Sequence, residues 1–201
     1  DPPRGGPARR SAGRVKVDLL LHGHVVDGTG IAGYDGWVAV QGDRIVAVER
    51  ADVPAPTAAR VLDGAGRVLT PGFIDVHTHS DLAAVVAPTM DSALRQGVTT
   101  VVVGNCGFSP APLRQPMTAG ELTAPVADIE CGTRWRSFGE YLDAVSAARP
   151  AVNVAALVGF GALRRLVLDD PLRLADRQEA GAMRNELRRA IDEGAIGLST
   201  G

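Results

Sequence analysis

From residue 72 onward, short apolar runs take turns with helix-patterned segments, and this alternation constrains the fold of the 201-residue chain more than any other feature. "GFIDVHTH" (72–79) reads as a strand. "PTMDSALRQG" (88–97) predicts a short helix ended by Gly97. "VTTVVVG" (98–104) is a near-continuous β-branched run, the pattern of a parallel strand buried on both faces. "SFGEYLDAVSAARP" (137–150) opens with Ser137 and Glu140 three apart, a capping box, and stops at Pro150. "AVNVAALVG" (151–159) predicts a third strand. In residues 175–194, Ala180, Met183, Leu187 and Ile191 recur at helical spacing, and Gly194 follows as a cap. "AIGLST" (195–200) predicts a fourth strand. Strands alternating with helices imply βαβ units and a parallel sheet. A (β/α)8 barrel needs ~250 residues and eight such strands. The expected fold class is therefore α/β, with residues 70–201 forming the first half of a barrel and the chain ending after the fourth strand. Expressed alone, such a half-barrel is expected to be inactive and poorly soluble, because its last strand would be an unpaired edge.

Residues 15–69 carry a different pattern. "VKVDLLLHGHVV" (15–26) predicts a strand, and "GWVAVQGDRIVAVE" (36–49) a hairpin. Gly42-Asp43 sits between its arms, with Gly at the first central position as a type II′ turn prefers. "RVLDGAGRVL" (60–69) predicts a second, shorter hairpin. These strands form one small β layer. Residues 1–14, rich in Arg, Gly and Pro, read as a disordered leader without the apolar core of a secretory signal. A net charge of −2 gives no reason to expect nucleic acid or an anionic membrane as partner. No apolar run approaches the ~18 residues of a membrane helix. Two cysteines, Cys106 and Cys131, make no disulfide framework, so a reducing cytoplasm is the default location.

The four histidines form two pairs of equal spacing, His22/His24 and His77/His79. In a strand, side chains two apart share a face, and two imidazoles so placed can reach one Zn²⁺ at ~2.0–2.1 Å. Spacing alone does not separate that reading from two polar residues leaving a strand into solvent. Context does. His22 and His24 lie in the β layer with no carboxylate or thiol nearby in sequence, and read as an exposed strand face. His77 and His79 lie at the C-terminal end of their strand, where barrel enzymes place their chemistry.

"TPGFIDVHTHSD" (70–81) resembles the metal-binding signature of the amidohydrolase superfamily. The resemblance implies a histidine pair ending the first barrel strand and a small β-sandwich before the barrel, where residues 15–69 stand. Many members bridge two metals with a carboxylated lysine at the end of the fourth strand. This chain has one lysine, Lys16, and none in residues 195–200. Another anionic ligand must take that role. Cys106, in "VVVGNCGFSP" (101–110), lies just past the second strand on the same rim as the histidines. Thiolate binds zinc at ~2.3 Å, and Gly104 and Gly107 allow the turn that would aim it inward. Cys131 has no such setting and reads as a buried hydrophobe. Asp75 and Asp81 share strand parity with the histidines. Asp75 is expected to be the deeper of the two, at the barrel bottom or orienting an imidazole, and neither reads as a general base.

"GNCGFSPAP", "FGEYLDAV", "NVAALVG", "LRRLV" and "EGAIGLSTG" together resemble the D-aminoacylase family, the N-acyl-D-amino-acid deacylases, from about residue 17 to the end. The resemblance implies Zn²⁺ as cofactor, an N-acyl amino acid as small-molecule substrate, and hydrolysis of its amide to a carboxylate and a D-amino acid. It implies that Cys106 holds a tightly bound zinc, that His77 and His79 face a more weakly held second metal, and that further histidines and a catalytic aspartate lie downstream. One departure is Phe160, where many members carry histidine in "LVGHG"; it puts a substrate-pocket role of that position in doubt and leaves the metal ligands untouched. The rival readings are a cyclic amidohydrolase of the hydantoinase or dihydroorotase type, which the lysine count argues against, and a non-catalytic barrel homologue.

Overall fold

The computed structural model describes residues 16–115 and 134–201. The expected leader and Cys131 lie outside the described residues. The chain divides into two compact units, residues 1–71 and 72–201.

In the first unit, β1 (Lys16–Val25), β2 (Tyr34–Gln41), β3 (Arg44–Arg50) and β4 (Thr57–Leu69) form one sheet in the order β3-β2-β1-β4. β2 and β3 are the expected hairpin. Gln41 pairs with Arg44, and Gly42 takes the positive φ of 59° that its turn position requires. Val17, Leu20, Trp37 and Ala39 form the small core, and the Trp37 indole donates to the Val53 carbonyl at 3.0 Å.

The expected second hairpin is not one. Both halves of β4 run parallel to β1: Lys16 pairs with Thr57 through His22 with Asp63, and pairing resumes at His24 with Val68. Between them the chain bulges. The Asp63 carboxylate accepts from the Ala65 N–H at 2.9 Å, and Gly66 has a φ of 74°. "DGAG" has the residues of a reversing turn, but its flanks pair with the same strand in the same direction, so register overrode the local turn signal.

The second unit is mixed α/β. β5 (Phe73–Asp75), β6 (Val98–Val103) and β7 (Asn153–Ala156) form a parallel sheet in that order. β8 (Val158–Gly159) and β9 (Leu198–Ser199) pair in parallel. Leu157 alone separates β7 from β8 and donates to the Val103 carbonyl, while Ile196 donates to Ala156. Four parallel strand positions therefore lie side by side in chain order.

The connections are helical. α1 (Ala83–Val86) and α2 (Asp91–Leu94) lie between β5 and β6, and α3 (Phe138–Ala148) between β6 and β7. α4 (Phe160–Val167) and α5 (Arg177–Asp192) lie between β8 and β9. Neither α1 nor α4 was expected; both lack a side-chain N-cap, and at four and eight residues both are shorter than the stretch over which a helical period is read. The Ser137–Glu140 capping box of α3 forms on both sides. Ser137→Ala is expected to cost about 1 kcal/mol, which a thermal melt against wild type would read as a drop of about 3 °C. On α5 the apolar stripe runs through Met183 and Leu187 to Ala190 rather than Ile191, which is 43% exposed. A 3.6-residue period returns to the same face after seven residues, not eight, so Ala190 takes the core position below Met183. The core packs Val101 and Val103 of β6 against Phe138, Tyr141, Leu163 and Met183. Among the described residues no helix is long and apolar enough to cross a membrane.

Candidate metal centre

β5 is shorter than the sequence pattern implied. It ends at Asp75, so His77 and His79 lie in the segment after it. Two connected loops then set the site. The first carries His77 and His79. The second follows the central strand β6 and carries Gly104, Asn105, Cys106 and Gly107.

Backbone conformation aims the second loop. Gly104 and Gly107 have φ of 80° and 76°, and Cys106 itself has a φ of 54°, which non-glycine residues rarely adopt. Hydrogen bonds then lock one loop to the other. The Asn105 amide donates to the Thr78 carbonyl at 3.3 Å and to the Val102 carbonyl at 2.8 Å. Gly104 N–H donates to the Asp81 carboxylate at 2.7 Å. The Tyr141 hydroxyl donates to the Asp81 carbonyl at 3.0 Å. On the far side Ser199 of β9 closes the turn: its hydroxyl donates to the Gly104 carbonyl and accepts from Gly107 N–H at 3.1 Å.

The outcome is a convergence of three donor side chains. One nitrogen each from His77 and His79 and the Cys106 sulfur all lie within 4.8 Å of one another. His77 Nε2 is 3.0 Å from Cys106 Sγ, and the two imidazole centroids are 5.9 Å apart, edge to face. Zinc sits ~2.0–2.1 Å from imidazole nitrogen and ~2.3 Å from thiolate. Two donors of one zinc lie at most ~4.4 Å apart, so a cluster within 4.8 Å is close enough to hold one ion after a small side-chain adjustment or to line two adjoining metal positions, and imidazoles with a thiolate are a borderline-soft set suited to zinc. The residues fit a zinc ion.

The two aspartates exchange the depths expected of them. Asp75 is exposed, on an edge strand, and its carboxylate accepts from the His77 backbone N–H at 3.1 Å rather than from an imidazole. Asp81 is 7% exposed. Burial raises its carboxyl to about 6, opposed by its own N–H, the Gly104 N–H and the charge of His79. Parity counted along a strand failed here because the strand stops at Asp75 and the chain turns into α1. Asp81 and Asn105 are the supporting residues that sequence reading missed as such; the one available signal was an Asn beside the cysteine between two glycines.

The second histidine pair does not build a site. His24 is exposed, and its Nδ1 lies 3.0 Å from Asp35, which faces it across β2. This carboxylate was invisible in local sequence, but His22 does not join it in a three-donor group among the described residues. Phe160 opens α4, outside the donor cluster, with the Arg164 guanidinium 5.7 Å from its ring centroid.

Known proteins share this arrangement of sequence and fold. The N-acyl-D-glutamate deacylase of Alcaligenes xylosoxydans xylosoxydans is 41% identical over 187 residues, covering 92% of this chain and 37% of the relative. A crystal structure of D-aminoacylase superposes with a TM-score of 0.80 at 43% identity, covering 92% of this chain and 38% of the other. The N-acyl-D-glutamate deacylase of Bordetella bronchiseptica, solved with zinc and a phosphonate inhibitor, gives a TM-score of 0.80 at 36% identity over 93% of this chain and 39% of the other. The chain thus spans somewhat over a third of the length of these relatives. Residues 60–201 match the amidohydrolase family, and the chain belongs to it.

Proposed function

We propose that these residues form the N-terminal part of a zinc-dependent deacylase that hydrolyses the amide of N-acyl-D-amino acids. The observation that carries the reading is the meeting of His77, His79 and Cys106 at the C-terminal end of parallel strands, in a chain whose fourth strand has no lysine. In this reading residues 15–69 contribute to a β-sandwich and residues 70–201 are the first half of a (β/α)8 barrel. Cys106 holds the tightly bound zinc, His77 and His79 face a second, weaker metal position, and the protein works in the cytoplasm. Further histidines and an aspartate acting as general base come from strands beyond these residues. The 201 residues on their own are expected to lack activity.

Zinc, when bound, supplies Lewis acidity, polarising an amide carbonyl and acidifying water toward neutral pH. The chain's own residues prepare the place. The Cys106 thiolate provides the anionic donor that a lysine carbamate would otherwise provide. Asn105 and Asp81 hold the histidine loop against the cysteine loop, so the donors need little rearrangement to accept an ion. Asp81, buried and spent on the Gly104 N–H, anchors the loop rather than reaching the substrate.

The test is a substrate panel on the intact gene product: N-acyl-D-amino acids, their L-enantiomers, hydantoin and dihydroorotate. Release of the acid from the D-forms alone is expected. Turnover of the cyclic ureides with none of the N-acyl-D panel would overturn the reading in favour of a cyclic amidohydrolase.

A further inference from the structure

The turn that carries Cys106 is closed from outside itself. In an ordinary β-turn the carbonyl of the first residue accepts directly from the N–H of the fourth. Gly104 and Gly107 stand in that relation, yet both bond to one side chain, the Ser199 hydroxyl at the end of β9. It donates to the Gly104 carbonyl and accepts from the Gly107 N–H at 3.1 Å. A hydroxyl has one O–H to give and lone pairs to accept with, so it serves both groups at once. The residue that closes this turn lies 92 positions beyond Gly107 and 95 beyond Gly104.

Cys106 needs that closure. Its φ of 54° lies in the left-handed region, which a residue with a Cβ occupies at a cost and keeps only where its surroundings fix it. The Gly104 N–H bond to Asp81 and the Asn105 amide bond to Thr78 hold the first half of the loop. Gly161 N–H holds the Gly107 carbonyl at 2.8 Å, and Phe108 N–H returns to the Asn105 carbonyl at 2.9 Å. The Ser199 hydroxyl spans the cysteine, from the residue two before it to the residue after it. The end of β9 lies against the same backbone. A Cβ on Gly107 would come 3.1 Å from the Gly201 nitrogen, and one on Gly201 would come 3.0 Å from the Cys106 carbonyl oxygen. Among the described residues β9 adds no donor of its own to the cluster of His77, His79 and Cys106. Its end is placed instead to hold a donor that another strand supplies.

We propose that Ser199 is a positioning residue of the metal centre: its hydroxyl closes the turn around Cys106 and so keeps the sulfur set for the ion. This rests on the zinc reading of the centre given above. A ligand fixed before binding loses less freedom when the ion arrives, and groups that orient metal ligands carry a measurable share of the affinity. Ser199→Ala removes both bonds at once and leaves all three donor side chains in the chain.

The experiment measures zinc affinity on the intact gene product, stripped of metal and titrated against a chromogenic chelator, for wild type, Ser199→Ala, Ser199→Thr and Ser137→Ala. Ser199→Ala is expected to weaken the tightly held zinc roughly 10- to 100-fold, the range for residues that orient metal ligands. Ser199→Thr keeps the hydroxyl and should stay within about threefold of wild type. Ser137→Ala removes a cap bonded within its own helix and controls for lost stability alone, so its affinity should match wild type. Where Ser199→Ala yields no folded protein, Ser199→Thr and Ser199→Val, alike in shape and different in the hydroxyl, make the same comparison. A Ser199→Ala affinity within about twofold of wild type, or an equal loss in Ser137→Ala, would overturn the assignment and leave zinc binding by Cys106 intact. If wild type takes up no zinc, the zinc reading fails on its own, and the thiol decides. Alkylation of Cys106 by iodoacetamide, followed on its peptide by mass spectrometry, should then run about fivefold or more faster in Ser199→Ala, because the freed turn exposes the sulfur. Equal rates in the two proteins would overturn the role of Ser199.

Discussion

Cys106→Ala in the intact gene product is expected to lower tightly held zinc from about one equivalent to under about a tenth, and activity by on the order of a thousandfold. The argument is chemical. Among the described residues the donor cluster contains two imidazoles and one thiol, and the thiol is the only member that becomes an anion on binding metal. Removing it leaves the imidazole pair without an anionic donor. Alanine at position 106 must also adopt the left-handed φ of 54° that Cys106 holds, so loss of zinc could reflect a displaced loop. Cys106→Gly separates the two causes, since glycine takes that φ without strain. It should keep the fold, by circular dichroism, and still lose the metal. Double substitution of His77 and His79 by alanine should spare the tight zinc and remove only the weaker site. Cys131→Ala and His22→Ala should leave metal content unchanged. Zinc analysis after dialysis reads all of these, and a Cys106→Ala protein with its full complement of tightly bound zinc would sink the ligand assignment.

Gly104→Ala is expected to be the most damaging small substitution, at least about 3 kcal/mol, seen as a melting midpoint lowered by roughly 10 °C or as loss of soluble protein. Two independent penalties meet there. Gly104 has a φ of 80°, unfavourable for any residue with a Cβ. A Cβ would also press into the Leu157 carbonyl, 2.8 Å from its carbon atom. That carbonyl belongs to backbone between β7 and β8 and cannot swing aside as a side chain would. Relief by backbone movement would break the Gly104–Asp81 and Gly104–Ser199 hydrogen bonds, which hold the cysteine loop against the histidine loop and β9. Zinc retention should therefore fall together with stability. By contrast, Gly181→Ala on α5 meets nothing closer than 4.0 Å and should be neutral or stabilising. Equal melting of Gly104→Ala and wild type would show that the loop tolerates rearrangement and that the close approach is not a constraint.

Where a signal is local, the sequence by itself was enough. The βα alternation after Pro71, the Gly42-Asp43 hairpin and the Ser137–Glu140 capping box each depend on residues within a few positions of one another, and each forms as read. The absence of lysine from residues 195–200 likewise needed no coordinates, and it directed attention to Cys106. Tertiary structure decided the rest. That His77 meets Cys106, 29 residues away, follows from the pairing of β5 with β6 and from the Asn105 and Asp81 bonds between loops. Asp81 rather than Asp75 is buried because β5 ends early. β4 runs straight past a turn-like "DGAG" because β1 offers a parallel partner on both sides of the bulge. A periodicity or a cap is set by bonds inside one element, whereas a site depends on the register between elements, which is determined only when distant strands and loops have chosen their hydrogen-bond partners.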